Sequence, residues 1–299
     1  MGVPYEFRTK REMLFHPAKE MIGYGSHKQP AGTWSDDTSM TLCLADSLAK
    51  TWPLVDYRDI MHRFEQWLYQ AEYTAGKKVF DCGNSCRKAI SQFKFQDPVL
   101  CGGKEEHDNG NGSLMRILPL AFYLEKKYPD AKISEEQMKL IADVSSLTHR
   151  HPKSIIACGI YICAALEIMR TGNLKEGIKK GVCEAFGYYE GKEEYRKELE
   201  HFSRIRDLDD LTQRKAAEIV GKGYVISTLE TALWSLMRNQ NFKDTILSCI
   251  NCGYDTDTTA AVAGGLAGLV YPLPEDWMEK IQNKEFILKV CRNLETALQ

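Results

Sequence analysis

Apolar residues along this chain recur at spacings of three and four residues, which is the period of an amphipathic α-helix. After Asp37, for example, Met40, Leu44 and Leu48 keep to one helical face, and residues 57–73 carry apolar residues at the same spacing. Alternating apolar and polar positions, which would indicate strands, are scarce. The pattern therefore predicts an all-α protein.

Four further segments extend this picture. Residues 154–169 are apolar on nearly all sides, which predicts a central buried helix, and residues 226–237 carry a second apolar stripe. Pro274 opens a final helical stretch, whereas the strongly charged residues 189–216 predict a helical excursion that faces solvent. Because no low-complexity linker or repeat interrupts the chain, we expect one all-α domain over residues 1–299, too long for a simple four-helix bundle.

Composition and charge exclude several classes of protein. The formal net charge is −2 over 299 residues, so the sequence offers no broad basic surface for nucleic acid or an anionic membrane. Residues 1–20 lack the apolar core of a secretory signal, and no apolar run is expected to span a membrane. The ten cysteines show no framework-like spacing. We therefore expect reduced thiols in a cytoplasmic protein.

Two short acidic clusters carry most of the chemical information. They are TWSDDTSM at residues 33–40 and GYDTDTTAAVAGG at residues 253–265. Each combines two aspartates with hydroxyl residues and leads into an apolar helix, and carboxylate and hydroxyl oxygens are the ligands that suit Mg²⁺, Mn²⁺ or Ca²⁺. If the fold brings the clusters together, four carboxylates need cations to neutralise them. We interpret the pattern as that of a metal-dependent enzyme.

A simpler interpretation of each cluster stays open. Ser35, Asp36 and Asp37 are favoured at helix N-termini, and Asp255 and Asp257 suit the positive end of a helix dipole equally well. Taken singly, either cluster is explained by capping. One cap needs only one oxygen, however, and two oxygen-rich helix starts in one chain favour a ligand site.

The segment DNGNGSLMRILPLA, residues 108–121, is a third feature. Gly110 and Gly112 allow backbone to approach a ligand closely, and the N–H groups near Ser113 can hold a phosphate. No Lys-Ser/Thr pair follows, as it would in a standard phosphate loop. A glycine turn before a core helix explains the segment equally well.

Two single residues are weaker candidates. His149, in SSLTHRHP, lies between two predicted helices and suits a ligand-binding role or a capping and packing role. Tyr224, in GKGYV, follows two nearby glycines and can stack on a base or ribose, or simply be part of the core.

Taken together, these segments resemble the ADP-ribosylglycohydrolase family, which includes the ADP-ribosylarginine hydrolases and the dinitrogenase-reductase-activating glycohydrolase. The similarity covers nearly the whole chain, and the two aspartate segments are its most specific part. The matching segments, in order, are GVPYEF (2–7), GTWSDDTSM (32–40), NGNGSLMRILPLA (109–121), LTHRHP (147–152), GYVISTLETALW (223–234) and NCGYDTDTTAAVAGGLAGLVY (251–271).

The resemblance implies an all-α fold with two divalent cations, Mg²⁺ or Mn²⁺. Its metal ligands would be Ser35, Asp36, Asp37, Asp255, Asp257 and Thr258. Glu6 matches an acidic residue near the metals. The loop that holds ADP-ribose in the family corresponds to Asp108, Asn111, Gly112 and Ser113, and residues lining the ligand correspond to His149 and Tyr224.

The activity implied is hydrolysis of the glycosidic bond at C1″ of an ADP-ribosyl group. The partner would be an ADP-ribosylated protein, with an arginine linkage favoured, or a small molecule containing ADP-ribose. Glu6, Asp36 and Asp37 are the candidate catalytic carboxylates, without an assignment of acid and base. The alternatives are a non-catalytic ADP-ribose-binding protein and a structural protein that retains the fold.

The sequence departs from the family at four points, of which the mildest is Cys252, where leucine is usual. Family members usually have an apolar helix ending in Gly-Asp-x-x-Gly just before GVPYEF; the sequence begins there, so we expect that helix to be missing. Ser35 stands where threonine is usual and keeps the hydroxyl. Tyr254 stands where glycine is usual, and we expect it to crowd the site.

Overall fold

The computed structural model of the chain describes residues 1–129 and 132–299. Within them the backbone is largely helical, and β pairing is limited to isolated bridges, among them those between Tyr24 and Gln29 and between Gly103 and His149. The all-α prediction is confirmed. The period of three and four residues was the right signal because most buried apolar positions belong to amphipathic helices.

The described residues contain sixteen α-helices, numbered here in chain order and joined by loops and short 3₁₀ turns. They are α1 (Lys10–Phe15), α2 (Asp36–Thr51), α3 (Tyr57–Gln70), α4 (Asn84–Gln92), α5 (Pro119–Lys127), α6 (Glu135–Ser146), α7 (Pro152–Thr171), α8 (Leu174–Glu190), α9 (Glu193–Arg196), α10 (Ser203–Arg206), α11 (Leu208–Gln213), α12 (Val225–Arg238), α13 (Phe242–Ile250), α14 (Thr256–Ala267), α15 (Glu275–Lys280) and α16 (Lys284–Leu298).

The chain divides into two compact units. Unit 1 comprises Met1–Thr33 and Cys163–Ile281, and unit 2 comprises Trp34–Ile162 and Gln282–Gln299. The boundary falls inside α7, so no linker in the sequence marks it. The expectation of one domain over residues 1–299 stays a prediction.

In unit 1, α12, α13 and α14 pack against one another. The predicted stripe on α12 is buried, with Leu229, Leu233 and Leu236 fully inaccessible to solvent. The 3₁₀ turn Val3–Tyr5 packs against α14. The charged region 189–216 forms short helices that are largely exposed, as predicted, and that are fixed by buried residues such as Phe202.

In unit 2, α2 is the central helix and packs against α3, α5 and α16. Its predicted inner face of Met40, Leu44 and Leu48 is fully buried. The helix expected at residues 57–73 is α3, which ends at Gln70 because the next residue takes a left-handed conformation. The stretch expected after Pro274 consists of two helices, α15 and α16, which are separated by the left-handed Asn283.

Helix α7 is the central buried helix that the sequence predicts, although it begins and ends two residues further out than 154–169. By length and composition it is apolar enough to cross a membrane, contrary to the expectation that no run reaches that length. Of its most apolar window, 78% is buried inside the protein, as in the core helix of a soluble fold.

Candidate active site

The first acidic cluster forms the start of α2 in unit 2. Ser35 is the N-cap residue, and its hydroxyl donates to Oδ2 of Asp37 over 2.7 Å. Asp36 and Asp37 occupy the first turn and are both buried. Burying two adjacent carboxylates is unfavourable unless hydrogen bonds or cations compensate, so this helix start needs more than a dipole to explain it.

The second acidic cluster forms the start of α14 in unit 1. Asp255 is the N-cap residue, Asp257 lies in the first turn, and Thr258 follows it; the latter two are buried. The hydroxyl of Thr256 donates to the carbonyl of Gly2 over 2.9 Å, which fixes residue 2 against this helix start.

Capping does not account for either cluster. In the described part of the chain, neither Ser35 nor Asp255 makes a capping hydrogen bond through its side chain. Other N-cap residues in the same protein do cap, because their side-chain oxygens accept from backbone N–H groups of the first turn; among them are Thr9, Asp56, Ser134, Asn173, Asp207 and Asn241. The capping alternative is therefore the weaker interpretation at both sites.

Glu6 is brought to Asp255 by a pair of backbone hydrogen bonds. The N–H of Phe7 donates to the carbonyl of Tyr254 over 2.7 Å, and the N–H of Tyr254 donates to the carbonyl of Arg8 over 2.6 Å. Glu6 and Asp255 are the chain neighbours of this pair. Their juxtaposition thus follows from main-chain bonding between segments that are far apart in sequence.

Glu6, Asp255 and Asp257 form what we name the carboxylate group. Each offers an oxygen, and these oxygens all lie within 4.8 Å of one another. Ligand oxygens around one Mg²⁺ or Ca²⁺ lie about 2.0–2.6 Å from the ion, so opposite ligands are about 4–5 Å apart. The carboxylate group therefore fits a divalent cation by donor type and by spacing.

His27 is a further member of this neighbourhood. Its Nε2 contacts Oε2 of Glu6, both side chains are nearly buried, and the imidazole ring lies 5.5 Å from the ring of Phe7. Sequence reasoning missed His27 because a histidine in a glycine-rich loop has no periodic or motif signal. The glycines around it, Gly23, Gly25 and Gly32, were the only available hint.

The glycine-rich segment of unit 2, residues 108–114, is named here the glycine loop. The buried carboxylate of Asp108 accepts the N–H of Glu105 over 3.2 Å, and the carbonyl of Asn111 accepts the N–H of Met115 over 3.1 Å. A Cβ on Gly112 would lie 2.7 Å from both Sγ of Cys86 and Cε1 of His149. Only glycine fits there, because both neighbours are buried and have no room to move.

Three consecutive N–H groups of the glycine loop are available as donors. Those of Gly112, Ser113 and Leu114 make no hydrogen bond to any residue within 1–129 or 132–299. The hydroxyl of Ser113 does not cap them, because it is buried and shares a hydrogen bond with the hydroxyl of Ser145 over 2.9 Å. Successive free N–H groups before a helical turn are a typical anion-binding arrangement.

His149 lies against the glycine loop through its contact with Gly112. Nδ1 is 2.9 Å from the hydroxyl of Thr148, and the carbonyl of His149 accepts the hydroxyl of Ser145 over 3.0 Å. Burial, reinforced by the cation of Arg116, lowers the pKa of His149 to about 3. The imidazole is therefore neutral near pH 7 and can act as a hydrogen-bonding group without charge.

Tyr224 lies in unit 1, beside the carboxylate group. It is the N-cap residue of α12 and is half-buried. The carbonyl of Gly221 accepts the N–H of Asp255 over 2.8 Å, and a Cβ on Gly223 would lie 3.2 Å from Oδ2 of Asp255. Tyr224 is thus positioned by the segment that borders Asp255.

The predicted site residues lie in both units. Unit 1 brings together Glu6, Asp255, Asp257, Thr258 and Tyr224, and unit 2 brings together Asp108, Asn111, Gly112, Ser113 and His149. Ser35, Asp36 and Asp37 form their own hydrogen-bonded helix start in unit 2. That the two acidic clusters share cations stays a prediction.

Known proteins of one family are similar to this chain over most of its length. The sequence profile described as ADP-ribosylglycohydrolase matches residues 1–299. The ADP-ribosylarginine hydrolase Tri1 of Pseudomonas putida (strain GB-1) is 30% identical over 278 residues, which cover 92% of this chain and 69% of that protein. The ADP-ribosyl-(dinitrogen reductase) glycohydrolase of Rhodospirillum rubrum is 28% identical, with 95% and 86% covered.

Similarity extends to a solved structure. A chain described as part of an ADP-ribosylglycohydrolase-related protein complex superposes with a TM-score of 0.70 at 26% identity, covering 94% of this chain and 87% of that one. The fold and the site thus define a hydrolytic enzyme of the all-α glycohydrolase class. The chain belongs to the ADP-ribosylglycohydrolase family.

Proposed function

We propose that this protein hydrolyses the N-glycosidic bond between C1″ of ADP-ribose and an arginine side chain of a modified protein. The observation that carries the proposal is the carboxylate group, in which three acidic side chains from distant parts of the sequence offer oxygens within 4.8 Å of one another. Family membership, and the similarity to a relative named as an ADP-ribosylarginine hydrolase, support the linkage.

Hydrolysis is proposed to require two divalent cations, Mg²⁺ or Mn²⁺. The residues that would hold them are Ser35, Asp36 and Asp37 at the start of α2, and Asp255, Asp257 and Thr258 at the start of α14. When bound, such ions supply Lewis acidity toward the ribose hydroxyls and toward a water molecule. The hard oxygen donors and the spacing of the carboxylate group support this assignment.

Carboxylates of the chain itself would accept and donate the protons of the reaction. Glu6, Asp36 and Asp37 are proposed to accept a proton from the attacking water and to deliver one to the departing guanidino nitrogen. The contact between Glu6 and His27 orients the Glu6 carboxylate. Negative charge near the anomeric carbon also stabilises the oxocarbenium character of the transition state.

The glycine loop is proposed to bind the diphosphate of ADP-ribose. Support comes from the N–H groups of Gly112, Ser113 and Leu114, which make no hydrogen bond within the described residues and can donate to an anion. The neutral imidazole of His149 would contact the same ligand as a hydrogen-bonding group. Tyr224 is proposed to line the ribose, because it borders Asp255.

The natural partner is proposed to be an ADP-ribosylated protein in the cytoplasm. The decisive experiment assays release of ADP-ribose from substrates with arginine, serine and nucleic-acid linkages, with and without a chelator. We expect release from the arginine-linked substrate, abolished by chelation. Tight binding of ADP-ribose in isothermal titration without any release would overturn the proposal in favour of a non-catalytic binding protein.

A further inference from the structure

Arg116 is fully buried and makes no salt bridge with any residue that the structure describes. It is the last residue of the 3₁₀ turn Leu114–Arg116, which begins at the final residue of the glycine loop. Its guanidinium stacks over the ring of Phe64 at 5.1 Å, and burial lowers its pKa. A buried cation without a carboxylate is unfavourable, and an apolar side chain of similar volume would suit such a site better. Stability therefore does not explain an arginine here.

The hydrogen bonds of Arg116 go to two backbone carbonyls. Nη1 donates to the carbonyl of Gly112 over 2.8 Å, and Nη2 donates to the carbonyl of Val144 over 3.0 Å. Val144 lies in the last turn of α6, three residues before the segment Leu147–His149. One planar guanidinium thus ties the glycine loop to the helix end that leads to His149.

The bond to Gly112 fixes the direction of a neighbouring donor. In a trans peptide, the carbonyl oxygen of one residue and the N–H of the next point in opposite directions. Since the carbonyl of Gly112 points toward the guanidinium of Arg116, the N–H of Ser113 points away from it. That N–H is the central one of the three available donors in the glycine loop.

A second set of hydrogen bonds links the same two segments. The hydroxyl oxygen of Ser145 lies 2.9 Å from the hydroxyl oxygen of Ser113 and 3.0 Å from the carbonyl oxygen of His149, so it can donate its one hydrogen to the carbonyl and share a hydrogen bond with Ser113. The Ser145 bonds involve hydroxyl groups and a carbonyl, whereas Arg116 holds the buried Gly112–Ser113 peptide. Removing the Arg116 guanidinium and removing the Ser145 hydroxyl are therefore expected to have different consequences.

We infer that Arg116 is a positioning residue for diphosphate binding: its guanidinium holds the Gly112–Ser113 peptide so that the Ser113 N–H faces the ligand. The inference rests on the proposed function, since it names the residue that orients the diphosphate donors. The positive charge also lies beneath the loop and attracts the anion through a medium of low dielectric constant.

The test compares R116K and R116M with the wild type by isothermal titration with ADP-ribose, ADP and adenosine. R116K keeps the charge but loses the forked pair of bonds, and R116M keeps only the volume. We expect affinity for ADP-ribose and ADP to fall by about tenfold in R116K and further in R116M, because one charge-assisted hydrogen bond is lost or weakened in each. Affinity for adenosine, which lacks the diphosphate, is expected to stay within about twofold of the wild type.

A matched control separates positioning from general destabilisation. L124A removes a fully buried side chain from α5 of the same unit without touching the glycine loop. We expect it to lower the melting temperature while leaving all three affinities unchanged. If the Arg116 variants bind ADP-ribose as the wild type does, or lose adenosine in equal measure, the inference is wrong.

A second measurement keeps the inference testable if neither variant folds. In the wild type, titration with ADP is expected to shift the backbone amide resonance of Ser113, and titration with adenosine is not. Absence of a diphosphate-dependent shift at Ser113 would overturn the inference. Failure of the wild type to bind ADP-ribose at all would instead overturn the proposed function.

Discussion

Phe7 and Tyr254 hold each other in an unusual backbone conformation. The N–H of Phe7 donates to the carbonyl of Tyr254 over 2.7 Å, and both residues have a φ of 64°. Such values are unfavourable for aromatic residues and persist only where the surroundings enforce them. Here the hydrogen-bonded Phe7 and Tyr254 place their neighbours Glu6 and Asp255 side by side. The unfavourable backbone conformation therefore helps to form the carboxylate group.

The left-handed conformation at Tyr254 leads to a stability prediction. Tyr254→Gly is expected to be more stable than Tyr254→Ala by about 1 kcal/mol, because alanine pays a steric penalty in this region and glycine does not. Both variants lose the same ring and its contact with Lys222. The measurement is the free energy of unfolding of the two variants in urea.

An exposed tyrosine in an ordinary helix provides the matched control. At Tyr69 on α3, which is 58% exposed, alanine is expected to be more stable than glycine by about 1 kcal/mol. The order of the two substitutions should therefore invert between the positions. If alanine is more stable than glycine at both positions, Tyr254 is not strained, and its backbone conformation does not favour glycine.

The contact of Gly2 with α14 leads to a second prediction. A Cβ on Gly2 would lie 2.4 Å from the Cα of Asp257, so Gly2→Ala must displace either the terminus or the helix start. We expect Mn²⁺ affinity to fall and stability to drop by about 1–3 kcal/mol, as for other overpacked sites. Gly76→Ala is the control, because a Cβ there meets no atom within 4 Å. Unchanged metal binding in Gly2→Ala would contradict the placement of Asp257.

Glycine is likewise required in the glycine loop. Gly112→Ala is expected to lower ADP-ribose affinity by about tenfold or more, since its Cβ would press on Cys86 and His149, at 2.7 Å from each. Adding Cys86→Ala should restore part of the loss by removing one of the two contacts. Gly83→Ala, where a Cβ meets nothing, should bind ADP-ribose normally. Normal binding by Gly112→Ala would exclude the loop from the ligand site.

The buried imidazole of His149 makes stability depend on pH. Its pKa is about 3 in the folded protein and about 6.5 in an unfolded chain. Between these values only the unfolded state binds the proton, so lowering the pH from about 7 to about 5 should destabilise the fold by roughly 2 kcal/mol through this group. The loss continues until the pH falls below the folded pKa.

The measurement is urea unfolding at the two pH values for the wild type, His149→Gln and His107→Gln. The His149 variant should lose less stability on acidification than the wild type, by roughly 2 kcal/mol. His107, whose side chain is 78% exposed, is the matched histidine for the control variant. An identical pH dependence in all three proteins would show that His149 is not held neutral.

Local sequence patterns predicted the helices and the candidate site residues. They did not predict which of these residues the fold brings together. Met40, Leu44 and Leu48 are buried as their spacing predicts, because helical periodicity reports burial directly. Glu6 and Asp255 lie about 250 residues apart in the sequence, and backbone hydrogen bonds between their chain neighbours bring them together. No pattern of side chains encodes such bonds.

Two other features escaped sequence reasoning for physical reasons. Arg116 stands within an apolar run, where an arginine is normally expected to reach solvent rather than to bind two carbonyls in the interior. The division into units falls within α7, where continuous helical periodicity gives no sign of a boundary. Both depend on tertiary packing alone.

The central claim is that the acidic helix starts of α2 and α14 bind the cations that hydrolysis requires. The most direct test measures ADP-ribose release from an arginine-modified protein across a Mn²⁺ titration, for the wild type, Asp36→Asn and Asp257→Asn. We predict that the wild type needs the metal, and that each neutral variant loses metal binding together with activity, by about a hundredfold or more. Release at the wild-type rate by either variant at trace metal would contradict the claim.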